Sequence, residues 1–242
     1  MTDKVAIVTG GTGALGRFIV RKFADEGLRV YVPSKSTEEF NKVFDNSHEE
    51  NSEYFKLRKI YCKTCDAVNE QSVTEFVENV AALEKGKIDI LINTVGGISE
   101  ASDVTELATE DLDKMLNLNF KSAFYFSRET AKIMLGNDYG RIVSVGAIAG
   151  TETTPGRFAY SISKAGVISL METMSEELKD KNIRCNTIIP GIIDTPSNRD
   201  WGSEEDIKKW IKPEEISDVI YDLVSDKFSA LRSSRIKLYG SY

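Results

Sequence analysis

A single α/β domain, one parallel seven-stranded sheet with helices on both faces, is the fold class this sequence predicts. Three observations carry that reading. Short runs rich in Val and Ile alternate with longer amphipathic stretches along all 242 residues, the pattern of strand and helix in succession. Every pair of candidate strands is separated by a helix-length connection, which calls for parallel strands covered on both sides. An octet holding four glycines, "TGGTGALG" at 9–16, sits between the first strand and the first helix, where glycines are poor builders of either.

The elements follow in order. "KVAIVT" (4–9) is the first strand, and a helix runs over 14–26. "RVYVP" (29–33) leads into a helix at about 36–48, and "KIYCKT" (59–64) into one at 69–83. "IDILIN" (88–93) precedes the long helix 109–136, and "RIVSVG" (141–146) precedes 158–180. "IRCNTII" (183–189) is followed by an interruption, "NRDWGSEEDIKKW" at 198–210, before the last helix, 213–226, and the last strand, "RIKLYG" (235–240). That last helix opens on Pro213 and two glutamates, a proline in the first turn with acids at the positive end of the dipole. The interruption falls beyond the carboxyl end of a strand, where open sheets bind ligands, so 196–212 is a candidate substrate lid with Trp201 and Trp210 in it. No internal repeat or linker divides the chain.

Composition excludes several functions. With a net charge of −7 and no basic block, the chain offers nothing to a nucleic acid or an anionic membrane. No apolar run reaches membrane-spanning length and no leader precedes the first strand, which predicts a cytoplasmic protein. Three cysteines do not make a disulfide scaffold. Cys62 and Cys65 form a C-x-x-C, but residues three apart on a strand point to opposite faces, so no metal or dithiol site is expected. A serine hydrolase is excluded as well: His48 is the single histidine, in a polar stretch, and no G-x-S-x-G occurs.

The glycine octet has a use where it stands. Glycines let the backbone turn tightly, so that N–H groups at a helix start face a pyrophosphate. Gly11, Gly13 and Gly16 give a G-x-G-x-x-G in the strand–turn–helix setting that a dinucleotide site of the Rossmann type needs. Gly10, Gly11, Thr12, Gly13, Leu15 and Gly16 are its candidate contacts. The end of the second strand decides the dinucleotide. An acid there would grip a ribose 2′-hydroxyl; Ser34, Lys35 and Ser36 instead suit a 2′-phosphate, which favours NADP(H) over NAD(H).

In "YSISK", Tyr160 and Lys164 are four apart in a helical pattern and share one face. At about 4–5 Å and an effective dielectric near 20, the ammonium would favour the phenolate by about 3–4 kcal/mol. The expectation is a phenol shifted down by about two to three pH units toward neutrality, where a general acid works best.

With these motifs the chain resembles the short-chain dehydrogenase/reductase family over nearly its whole length. In order it shows "TGGTGALG", "CD" at 65–66, "NTVGG" at 93–97, "NLNFKSAF" around Asn119, "GRIVSVGAIAG" at 140–150, "YSISK" and "PGIIDT" at 190–195. The resemblance implies that Tyr160 is the proton donor, that Lys164 lowers its pKa and holds the nicotinamide ribose, and that Asn119 supports a proton relay. It further implies that Asp66 meets the adenine, that Asn93 and Gly96 flank the adenosine ribose, and that Ile193 and Thr195 hold the nicotinamide end.

Three positions depart from the family pattern. Ala14 stands for its middle glycine and Thr94 for the second residue of N-N-A-G. Ala147, thirteen residues before Tyr160, stands for its catalytic serine. Ser144 should face the other side of its strand; Thr151, Thr153 or Thr154 are candidate substitutes. Dihydropteridine reductase, a branch of the family, also has alanine there and shares "GGTGALG", "VGG", "TPG" at 154–156 and "DTPSNR" at 194–199, but differs at Ser34 and Asn119.

The leading expectation is an NADP(H)-dependent oxidoreductase passing a hydride to a carbonyl or conjugated C=N carbon of a small molecule, with Tyr160 as proton donor. The alternatives are a dihydropteridine-reductase-like enzyme and a dinucleotide-binding regulatory protein of reduced activity. Helices 109–136 and 158–180 carry apolar residues on two sides, including Phe120, Phe124, Phe126, Met171 and Met174. One side should meet a second subunit; the resemblance implies a homotetramer, and a homodimer is the other possibility.

Overall fold

A computed structural model describes residues 1, 3–44 and 59–241. The seven strands are β1 (Val5–Thr9), β2 (Arg29–Ser34), β3 (Ile60–Thr64), β4 (Ile90–Asn93), β5 (Gly140–Val145), β6 (Ile183–Pro190) and β7 (Arg235–Leu238). They form one sheet in the order β3-β2-β1-β4-β5-β6-β7, with every pairing parallel. The order reverses between β1 and β4, the position where a doubly wound sheet opens a crevice at its carboxyl edge.

Alternation along β1 shows how the sheet is covered. Val5 and Ile7 join Phe76, Val80, Phe126, Met134 and Met171 in one buried cluster, while Ala6 and Val8 join Ile19, Phe23, Ile216 and Ile220 in the other. Successive side chains on a strand take opposite faces, so these two clusters are the two sides of the sheet. On the second side lie α1 (Gly16–Asp25) and the late helix Pro213–Leu223; on the first lie α3 (Glu70–Leu83) and the two long helices that follow.

The expected helix at 36–48 is seen as α2 (Thr37–Phe44); the remainder of that stretch, with His48, lies outside the described residues. The expected single helix 109–136 is three segments: α4 (Thr109–Met115), a π-helical stretch Leu116–Lys121, and α5 (Ser122–Asn137). The expected helix 158–180 is α6 (Phe158–Glu177). Of the apolar residues on the two sides of these helices, Phe126, Met171 and Met174 belong to the core.

The interruption after β6 holds two short helices, α7 (Pro196–Arg199) and α8 (Glu204–Ile207), and rejoins the body through a bridge between Ile193 and Ile211. Trp210 is 4% exposed and its ring lies 5.1 Å from that of Trp201, which is 63% exposed. Trp210 is therefore packing. The last helix, α9 (Pro213–Leu223), begins on Pro213 as expected, with the Glu215 carboxylate accepting from Lys212 N–H at 2.9 Å.

Candidate active site

The glycine loop is shaped by close approach. Gly10 takes φ +62°, and a Cβ on Gly16 would sit 2.1 Å from the Gly10 carbonyl oxygen. Helix α1 then starts without a capping side chain and without an acid in its first turn. An uncapped helix start presents free N–H groups and the positive end of its dipole. This end is built for an anion, and the residues fit the pyrophosphate of a dinucleotide. Thr94 ties the ends of β1 and β4 together, its Oγ1 donating to the Thr9 carbonyl at 2.6 Å.

Beyond that loop, three expected residues converge. The π-helical stretch buries Asn119, whose Oδ1 accepts from Gly97 N–H at 2.8 Å. Its Nδ2 donates to the Gly97 carbonyl at 3.0 Å and to Ser163 Oγ at 2.9 Å. Ser163 Oγ in turn donates to the Tyr160 carbonyl at 2.7 Å. Lys164, 6% exposed, donates from Nζ to the Val145 carbonyl at 3.0 Å, at the end of β5. A Cβ on Gly96 would lie 2.6 Å from Asn119 Oδ1 and 3.1 Å from Lys164 Nζ. Gly96, Asn119 and Lys164 thus meet, and Tyr160 stands one turn before Lys164 on α6.

The electrostatics correct one expectation. Burial pushes the Tyr160 phenol above its ordinary value, and the cation acting to lower it is Arg157. Burial also pulls Lys164 from 10.5 down to about 8. The spacing argument pointed to Lys164 and left out desolvation; the acting cation is Arg157, and desolvation outweighs it.

Other expected residues are placed as follows. Asn93 is buried and donates to Ser127 Oγ at 2.9 Å and Ser144 Oγ at 3.0 Å, so its side chain is committed to the core. Ser144, also held by that bond, donates to Met171 Sδ on α6 at 3.2 Å, so it lies on the α6 side of the sheet and is committed to the core there. Thr151 Oγ1 donates to the Ile148 carbonyl at 2.8 Å, while Thr153 and Thr154 are exposed. Ala147 is buried at the start of a 3₁₀ turn, Ile148–Gly150. Ser34 Oγ donates to the Ser36 carbonyl at 2.9 Å, and Lys35 is exposed beside it. Asp66 is exposed after β3, its carboxylate accepting from Val68 N–H at 3.2 Å. Thr195 caps α7 by accepting from Asn198 N–H at 3.3 Å, and Ile193 lies in the bridge at the base of the lid.

Two features escaped the sequence reading. Thr12 Oγ1 donates to Glu39 at 2.8 Å, which puts a carboxylate from α2 against the glycine loop. Arg157, at the start of α6, donates from Nη1 to the Ser99 carbonyl at 2.6 Å and so ties that helix to the loop after β4. A cavity of about 410 Å³ lies between Ala14, Phe18, Thr195 and Lys212, so glycine loop and lid share a hollow. A larger one, about 810 Å³, is lined by Lys4, Arg29 and Asp89 at the amino ends of the strands. Its lining is mixed in charge, with Lys4 on Asp89 at 3.2 Å and Arg29 on Glu84 at 2.9 Å beside Lys85 and Lys87, and it is remote from the chemistry.

The family model described as "short chain dehydrogenase" matches residues 4–206. The chain belongs to the short-chain dehydrogenase family. An uncharacterized oxidoreductase of Staphylococcus saprophyticus is 32% identical over 231 residues, 92% of each chain. A 3-oxoacyl-[acyl-carrier-protein] reductase of Thermotoga maritima is 29% identical across 99% of this chain and 98% of its own. Among solved structures, an NAD⁺-bound xylitol dehydrogenase superposes with a TM-score of 0.87 at 25% identity, covering 99% of this chain and 98% of that one. A short-chain dehydrogenase is an oxidoreductase built on a Rossmann-like α/β sheet, the architecture described above. Among the described residues, no cluster of His, Cys, Asp or Glu is placed to hold a metal ion, and no helix is long and apolar enough to cross a membrane.

Proposed function

We propose that this protein is an NADP(H)-dependent reductase of small carbonyl compounds, with Tyr160 as the proton donor. The observation that carries the reading is the meeting of Lys164 and Asn119 at Gly96, one turn from Tyr160 and beyond a glycine loop shaped for a pyrophosphate. The amino end of α1 with Gly10, Gly11, Thr12, Gly13, Leu15 and Gly16 would hold the pyrophosphate. Ser34, Lys35 and Ser36 would take a 2′-phosphate, and Asp66, Gly96 and the Asn93 backbone would border the adenosine. Ile193 and Thr195 would bound the nicotinamide end, and Tyr160 and Lys164 its ribose.

The nicotinamide, when bound, supplies the hydride. Tyr160 gives its proton to the substrate oxygen. Lys164, whose proton leaves near pH 8, is the proton store behind it. Asn119 fixes the geometry: through Ser163 it holds the Tyr160 backbone, and through Gly97 it holds the loop after β4. Ala147 leaves the substrate oxygen without the hydroxyl donor that the family places there.

A carbonyl compound is favoured over a quinonoid pterin because the Thermotoga relative is, by name, a reductase of 3-oxoacyl groups. The assembled Tyr160–Lys164–Asn119 constellation supports an enzyme over a regulatory protein. A groove between α5 and α6, lined by exposed Leu135 and half-buried Phe124, Leu170 and Leu178, supports the homo-oligomer, tetramer or dimer. The site is one for a small molecule in the cytoplasm.

The test is turnover of a panel of ketones with NADPH and NADH. Tyr160→Phe is expected to lower kcat by about 10²- to 10⁴-fold while dinucleotide affinity persists. Ala147→Ser is expected to raise kcat/KM on ketones by at least about tenfold, since one such donor is worth about 10²–10³ in rate elsewhere. Full activity in Tyr160→Phe would refute the assignment.

A further inference from the structure

Arg157 stands one helical turn before Tyr160, at the amino end of α6. Its Nη1 donates to the Ser99 carbonyl at 2.6 Å. Beside it Gly156, at φ +72°, accepts from Ser102 N–H at 3.0 Å, so the loop after β4 and the start of α6 are tied at two points. The same loop carries Gly96 and Gly97, which meet Asn119 and Lys164. Arg157 therefore adjoins the loop that meets Asn119 and Lys164, and it is half buried there.

Its hydrogen bonding is incomplete. Among the described residues, Nε and Nη2 have no protein partner and no carboxylate forms an ion pair with this guanidinium. Arg184 is a useful contrast: its Nε and Nη1 donate to three backbone carbonyls. A half-buried guanidinium with one neutral acceptor retains a planar two-nitrogen edge, the geometry that receives a carboxylate in two parallel hydrogen bonds.

We infer that Arg157 anchors a carboxylate of the substrate, so that the carbonyl compound reduced here is an oxo acid. The inference rests on the reductase reading above and narrows it. Residues three apart on a helix are neighbours at about 5–6 Å. A carboxylate held on the Nε–Nη2 edge would leave the rest of a short oxo acid within reach of the next helical turn, which carries Tyr160. The influence of the Arg157 charge on the Tyr160 phenol agrees with that proximity. Ala147 gives the anchor its purpose: with no hydroxyl at that position to orient the carbonyl oxygen, orientation comes from the far end of the substrate.

The experiment measures kcat/KM with NADPH for 3-oxobutanoate and 4-oxopentanoate, each against its methyl ester, and takes the acid-to-ester ratio within each variant. The wild type is expected to favour the acids by at least about tenfold. Arg157→Gln keeps a donor for the Ser99 carbonyl and removes the charge; it is expected to lower the ratio by about 10- to 100-fold, mostly through KM. Arg157→Lys should recover part of it. Ester turnover with a wild-type ratio near one, or an unchanged ratio in Arg157→Gln, overturns the anchor and leaves the reductase standing. A wild type that reduces neither acid nor ester overturns both.

Discussion

Replacing Lys164 with methionine should stabilise the cofactor-free protein. Methionine keeps the length of the side chain and removes the charge that burial disfavours. The fall of the lysine pKa from 10.5 to about 8, at about 1.4 kcal/mol per pH unit, is worth about 3 kcal/mol. Against this, the Val145 carbonyl loses its 3.0 Å donor, which costs about 1 kcal/mol. The expected gain at pH 7 is thus about 2 kcal/mol, or about 4–8 °C in Tm for a chain of this size.

The pH dependence is the sharper readout. Below pH 8 both folded and unfolded chains hold the proton, and the burial cost is felt in full. Between about 8 and 10.5 the unfolded chain holds it and the folded chain does not, so the wild type gains stability as pH rises. The advantage of Lys164→Met should accordingly shrink over that window. Urea unfolding of both proteins at pH 7, 8, 9 and 10, at one fixed protein concentration, measures it. A variant no more stable than the wild type at pH 7, or an advantage that does not change with pH, would refute the reasoning.

Gly16→Ala should abolish dinucleotide binding, because its Cβ would lie 2.1 Å from the Gly10 oxygen and the loop must open to admit it; fluorescence titration with NADPH reads this, and retained affinity counts against the loop assignment. Glu39→Gln should tighten NADPH relative to NADH by about three- to tenfold at low ionic strength, since it removes a carboxylate held at the glycine loop by Thr12. The effect should fade in high salt; equal affinities in variant and wild type would show that Glu39 does not face the adenosine end.

The sheet was legible because its signal is local. Val5 through Thr9 are buried along their whole length, and such a continuous apolar run between a charged residue and a glycine turn has few other readings. Tyr160 and Lys164 could be placed on one face for the same reason, through helical period alone. What failed depended on contacts distant in the chain. Glu39 gains a role only through Thr12, twenty-seven residues earlier, which donates to it. Arg157 acquires meaning only from the Ser99 carbonyl, fifty-eight residues earlier in the chain. The Tyr160 shift was misjudged in sign because spacing reveals a nearby cation and conceals the loss of water around both groups. The π-helical stretch was invisible because hydrophobic periodicity continues on either side of it.

That stretch gives one helix two independent phases. Each residue of an α-helix advances by roughly 100°, so a widened turn lets α4 and α5 present stripes that no straight rod could align together. The half toward Thr109 can be tuned to the α6 neighbourhood, and the half toward Asn137 to the sheet and to α3, without either choice dragging the other around the axis. Trimming a single residue between Leu116 and Lys121 would restore a regular rod and swing the Asn119 amide out of register with the loop it clasps.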